Sequence, residues 1–199
     1  MSGFTWPPDA SSADTSSQIP AAVLVPLSMV SEVAEPRVIL TRRRQDLRRH
    51  AGEISFPGGR QDAEDASLSD TALREAEEEI GLARSDVRLL GALPPTSTFA
   101  TNYVIHPFVG VIPAGLAWQP SALEVDAVLE LPLEALRASR TRTRLERRGI
   151  SFETDAYVVD GHLIWGATAR ILQHLLDRLS VISPGGEAAL ELRWAAGPG

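Results

Sequence analysis

Four glutamates, Glu75, Glu77, Glu78 and Glu79, fall within five residues of one another. Around them, Leu73, Ala76, Ile80 and Leu82 recur with the period of a helix and supply its apolar side. On such a helix Glu75 and Glu79 are i and i+4 neighbours, with Cβ atoms roughly 5–6 Å apart, and they repel. Glu78 lies three residues from Glu75 on the same side, whereas Glu77 is expected to point to water. Hard oxygen ligands gathered in this way suit Mg²⁺ or Mn²⁺, and a divalent ion would turn their repulsion into attraction. Taken alone, an acidic run is more often a solvated helix face.

The surrounding residues argue for a site. Gly58 and Gly59 stand upstream, where the lack of a side chain lets backbone approach a ligand closely. The helix is expected over residues 71–80, with Ser69 or Asp70 as its cap and Gly81 as its end. Before the glycines comes a basic cluster, Arg42, Arg43, Arg44 and Arg48, with His50 close behind. Guanidinium forks bind phosphate oxygens in pairs, so these arginines are candidate substrate ligands. His50 is a candidate polar contact to the same substrate.

The run Arg74-Glu75-Ala76-x-Glu78-Glu79-x-Gly81-Leu82, preceded by Gly59, resembles the motif of the Nudix hydrolase family. The spacing from Gly59 to Arg74 is one residue longer than is common there. Asp65 or Glu64 stands near the place of the loop acid. Upstream, Ile39-Leu40-Thr41-Arg42-Arg43 continues through Arg48 and Gly52 to Phe56-Pro57-Gly58-Gly59. This stretch is similar to the motif of the coenzyme A pyrophosphatase branch, in which the longer spacing also occurs. Arg44 departs from that branch, which has a small residue there. The run Ile164-Trp165-Gly166-Ala167-Thr168-Ala169 is similar to the same branch, although core packing alone accounts for Trp165.

The resemblance implies an α/β/α sandwich with a mixed sheet and a metal-dependent pyrophosphatase. Glu75 and Glu79 would be the principal ligands of Mg²⁺ or Mn²⁺, with the carbonyl near Gly59 able to join them. Glu78 would be a further ligand or the group that takes the proton of the attacking water. Arg74 would orient the catalytic glutamates. Glu124, in Ser121-Ala122-Leu123-Glu124-Val125-Asp126, resembles an acid outside the motif that binds metal or orients water. The implied reaction splits coenzyme A, and acyl-coenzyme A with it, into 3′,5′-adenosine diphosphate and 4′-phosphopantetheine. The alternatives are a broader pyrophosphatase acting on ADP-ribose, dinucleotides or nucleoside triphosphates, and a nucleotide-sensing domain without catalysis.

Composition narrows the field. The chain has 199 residues, 44% of them hydrophobic, enough for one globular domain with a sizeable core. The net charge of −7 argues against a nucleic-acid partner held by phosphate contacts. With no Cys, thiolate catalysis and disulfides are excluded. All 19 basic residues are arginine, which removes Schiff-base chemistry. No apolar run has the length of a membrane span, and the first residues do not form a secretory signal, so a cytoplasmic protein with no membrane partner is expected. The partner expected is a small-molecule substrate, with a homodimer left open.

In chain order, residues 1–20 read as a flexible arm, 21–182 as the domain and 183–199 as a tail. Strands are expected over 21–27, 37–43, 87–93, 103–112, 150–159 and 162–164, with Pro107 placing its strand at an edge or breaking it. Residues 132–138 read as a short helix. Asp160-Gly161 signals a hairpin, and a final amphipathic helix carries Ile171, Leu172, Leu175, Leu176 and Leu179 on one face.

Overall fold

A computed structural model describes residues 18–29, 36–46, 52–98, 102–147 and 149–180. Residues 1–17 of the expected arm over 1–20, the whole expected tail over 183–199, and Arg48 and His50 lie outside the described residues, whereas Ile19 and Pro20, expected in the arm, open the first strand instead.

The strands are β1 (Ile19–Met29), β2 (Arg37–Arg43), β3 (Ile54–Ser55), β4 (Gly58–Arg60), β5 (Arg88–Ala92), β6 (Thr96–Ser97), β7 (Tyr103–Pro113), β8 (Val125–Pro132), β9 (Arg140–Arg147), β10 (Ile150–Val159) and β11 (His162–Trp165). The helices are α1 (Leu68–Ile80), α2 (Leu133–Ala138) and α3 (Gly166–Ser180). The main sheet runs β3-β2-β1-β7-β5, with β4 also on β1, β6 on β7 and β8 on β2. It is mixed, because β1 and β7 are parallel over eleven register pairs while the other pairings are antiparallel. A second, antiparallel sheet has the order β11-β10-β9.

The central strand β1 is apolar on both faces because both are covered. Ala22 and Leu24, with Ile39 of β2, meet Ala72, Ala76 and Ile80 of α1. Val23, Val25 and Leu27, with Val38 and Leu40, join Leu136 of α2, Ile164 of β11 and Leu172 and Leu175 of α3. The result is the expected α/β/α sandwich.

Two local expectations are corrected. Helix α1 begins a turn earlier than residue 71, because its cap is Ser67, whose Oγ accepts from the Asp70 N–H at 3.1 Å. Neither Ser69 nor Asp70 is the cap. Strand β7 is neither broken at Pro107 nor an edge, since it lies between β1 and β5. In extended backbone a residue directs its N and its C=O to the same side. The Pro107 carbonyl accepts from Leu93, between β5 and β6, so the missing donor faces that gap and the β1 ladder loses nothing.

The other end of α1 follows its sequence signal. Gly81 is left-handed (φ 70°), and the Gly81 and Leu82 N–H groups donate to the Glu77 and Ala76 carbonyls. Asp160 and Gly161 both have positive φ, as a two-residue hairpin turn requires.

Candidate active site

Helix α1 lies on β1 and β4, which brings its glutamates against the glycine pair. The Glu79 side chain is 7% exposed. The Gly58 N–H donates to its Oε2 at 3.3 Å, and Arg43 Nη1 stands 3.6 Å from its Oε1. Burial pushes the Glu79 carboxyl up to about 8, with the Arg43 charge opposing and the Glu75 charge adding to the rise.

Glu75, one turn earlier, lies against Gly59. A Cβ built on Gly59 would overlap the Glu75 carboxylate, and one on Gly58 would strike the backbone of Ala22 and Val23. Burial raises the Glu75 carboxyl, and Arg74, 3.1 Å away, works against that. Glu78 is 59% exposed and accepts from Arg74 Nη1 at 3.0 Å. Glu77 is exposed, as expected.

Arg74 is the hub of the helix. Besides Glu75 and Glu78, it reaches the Arg60 carbonyl at 3.3 Å and both oxygens of Asp65 at 3.0 Å. The Asp65 side chain is 4% exposed, and it also accepts from Thr71 Oγ1 at 2.9 Å and from the Asp62 N–H. Hydrogen bonding from Arg74 holds the Asp65 carboxyl well below the usual carboxylate range and raises Arg74 in turn. Of the two acids near the place of the loop acid, Asp65 packs on Arg74 and Glu64 is exposed.

Glu124 reaches the site through a connection stapled to the end of α1. The Gln119 and Ser121 N–H groups donate to the Ile80 and Glu79 carbonyls at 3.0 and 2.8 Å. Trp118 Nε1 donates to Glu130 Oε1 at 2.6 Å, and its ring packs on the α1 core. Glu124 then faces Arg43, with Nη2 to Oε2 at 3.4 Å.

The upstream arginines differ in their commitments. Arg42 is forked onto Asp126, with Nε at 2.8 Å and Nη2 at 2.7 Å. Arg44 is forked onto Asp46 at 2.9 and 2.6 Å and also donates to the Ala122 carbonyl. Arg43 holds Glu79 and Glu124 at longer range. Arg42 and Arg44 therefore act first as ties between the end of β2 and the start of β8. Sequence reading missed Asp126 and Asp46 as their partners. Asp46, two residues from Arg44, had a local signal. Asp126 had none, because it is the unmatched residue of a register shift, with Arg42 opposite Ala127 and Arg43 opposite Val125.

Helix α1 thus sets Glu75 and Glu79 against two glycines and beside Arg43 and Arg74 on an α/β/α sandwich. Residues 20–151 match the NUDIX domain. Over 163 residues the chain is 41% identical to a Yersinia pestis (strain Pestoides F) protein named "Uncharacterized Nudix hydrolase NudL", covering 81% of this chain and 80% of that one. The fold is similar to the crystal structure of a Nudix hydrolase from M. smegmatis, RenU, with TM-score 0.59 and 15% identity over 83% of this chain and 88% of that one. A NUDIX hydrolase from Alicyclobacillus acidocaldarius gives TM-score 0.56 and 19% identity over 87% and 95%. The chain belongs to the Nudix hydrolase family, whose members hydrolyse phosphoanhydride bonds and generally use divalent metal ions.

The donor chemistry fits such an ion. Glu75 and Glu79 are neighbouring carboxylates whose burial disfavours uncompensated charge. Among the described residues, however, no three acidic or histidine side chains are gathered closely enough to hold an ion together. Arg43 and Arg74 supply the positive charge beside these carboxylates. Among the described residues, no helix is long and apolar enough to cross a membrane.

Proposed function

We propose that the protein hydrolyses the pyrophosphate bond of a nucleotide-linked substrate, with Glu75 and Glu79 as the principal ligands of Mg²⁺ or Mn²⁺ and the Gly59 carbonyl able to join them. The observation that carries this reading is the buried Glu79 carboxylate, set between the Gly58 N–H and Arg43 and beside Glu75. The bound ions would polarise phosphoryl oxygens and stabilise the leaving group. The chain's own residues do the rest. Arg74 holds Glu75 and Glu78 in place, and Glu78 or Glu124 accepts the proton of the attacking water. The water oxygen bonds to one phosphorus as the bridging P–O bond breaks, leaving two phosphate monoesters.

Within that class we favour coenzyme A. The stretch that resembles the coenzyme A branch reaches this site at both ends, since Arg43 faces Glu79 at one and Gly58 binds Glu79 at the other. The test is product analysis with coenzyme A, 3′-dephospho-coenzyme A, ADP-ribose and dinucleotides, each with Mg²⁺ or Mn²⁺. Release of 4′-phosphopantetheine is expected. Loss of the 3′-phosphate should lower kcat/KM by about 10- to 100-fold, the scale of one charge-assisted hydrogen bond. Equal turnover of the two forms would remove the coenzyme A reading and leave a broader pyrophosphatase. Binding of these compounds without turnover would point to a sensor.

Gly59→Ala tests the cradle. Its Cβ meets the Glu75 carboxylate, which can swing aside, so the fold should survive. We expect a loss of kcat of about tenfold or more, with the melting temperature little changed. Unaltered kcat would show that the position of Glu75 against Gly59 does not matter.

A further inference from the structure

Arg43 differs from its two neighbours in how it is held. Its backbone is fixed, with its N–H on the Glu53 carbonyl at 3.0 Å and its own carbonyl taking the Gly52 N–H at 3.2 Å. Alternation along β2 sends Ile39, Thr41 and Arg43 to the α1 side of the sheet. The guanidinium then spans two acids at 3.6 and 3.4 Å, whereas Arg42 and Arg44 sit on theirs at 2.6–2.9 Å. Its two partners are Glu79, a proposed metal ligand, and Glu124, a candidate proton acceptor beside it.

A guanidinium and a divalent ion compete for the charge of the same carboxylates, so each weakens the other's hold on them. We propose that Arg43 is an exchangeable counter-ion: it holds Glu79 and Glu124 while the site lacks metal, and the arriving ion displaces it onto the pyrophosphate of the substrate. This rests on the pyrophosphatase reading and adds an order to it. In the metal-free site a cation already in the fold stands between the two acids. Metal entry releases a planar fork, anchored at a fixed point of the backbone, toward the phosphates. The ion and Arg43 oppose each other without substrate and cooperate once it is present.

The test is Mn²⁺ binding without substrate, read from the free-Mn²⁺ electron paramagnetic resonance signal. Wild type is compared with Arg43→Gln, Arg43→Lys and the charge control Arg142→Gln, which lies on β9 beside Glu153. Arg43→Gln should bind Mn²⁺ roughly three- to tenfold more tightly, the scale of one or two partly exposed ion pairs. Its KM for the pyrophosphate substrate should rise at least about tenfold. Arg43→Lys should keep near-wild-type Mn²⁺ affinity but still raise KM, because it retains the charge and loses the fork. Arg142→Gln should change neither. Circular dichroism confirms that each variant is folded. Mn²⁺ affinity in Arg43→Gln equal to or weaker than that of wild type would overturn the exchange and leave the hydrolase reading intact. Failure of wild type and Arg43→Gln alike to bind Mn²⁺ would overturn both.

Discussion

Glu79→Gln should abolish nearly all turnover and yet make the metal-free protein more resistant to alkaline pH. The first effect follows from the proposed role of Glu79 as a metal ligand. Gln keeps the shape and loses the charge, and a fall in kcat of about 100-fold or more is expected. The second effect follows from burial. The folded-state carboxyl lies near 8, above its ordinary value of 4.5. A raised carboxyl contributes stability that is fully present below the unfolded value and is lost as pH rises through the folded one. Wild type in a chelator should therefore lose melting temperature progressively from about pH 5 to pH 9. Glu79→Gln should lack this component and at pH 9 should melt about 5 °C or more above wild type. Saturating Mg²⁺ should restore wild type at high pH and do little for the variant. Melting curves across pH, with and without metal, check all of this. Parallel profiles for the two proteins would mean that Glu79 carries no buried charge.

Helix α1 is legible in the sequence, whereas part of its surroundings is not. The helix announced itself through Ala76, Ile80 and Leu82, through Gly81 and through its run of acids, all local signals. Strands β2 and β10 were bounded correctly for similar reasons, since turn residues and changes of pattern mark their ends. The cap was misplaced because Ser67, Ser69 and Asp70 are all competent caps, and only the fold shows which hydroxyl meets an N–H group. Pro107 misled because the rule against proline inside sheets assumes a partner at every position, and here the partner strand is interrupted opposite it. The arginines were recognised as a group, but their division of labour was not. Arg42 meets Asp126 across 84 positions, and Arg44 reaches Ala122 across 78. No pattern within β2 distinguishes these two from Arg43. What separates them is the register shift in β8, a consequence of pairing.

Arg74→Ala should be damaging in a way that a second substitution partly repairs. Arg74 satisfies Asp65 through two hydrogen bonds while also holding Glu75 and Glu78. Removing it leaves Asp65 almost wholly buried without its main counter-ion and lets the glutamates repel one another. Breaking such a pair from one side costs far more than removing both partners. The single variant should melt on the order of 5–10 °C below wild type and lose at least about 100-fold in kcat. Asp65→Ala combined with Arg74→Ala removes the stranded carboxyl, so the double variant should recover a substantial part of the melting temperature. It should recover none of the activity, because Glu75 and Glu78 remain without their positioning group. The double-mutant cycle thus separates the two duties of Arg74. Additive losses of stability would show that the Asp65 pair contributes little. Recovery of activity in the double variant would show that Arg74 acts on the glutamates only through Asp65.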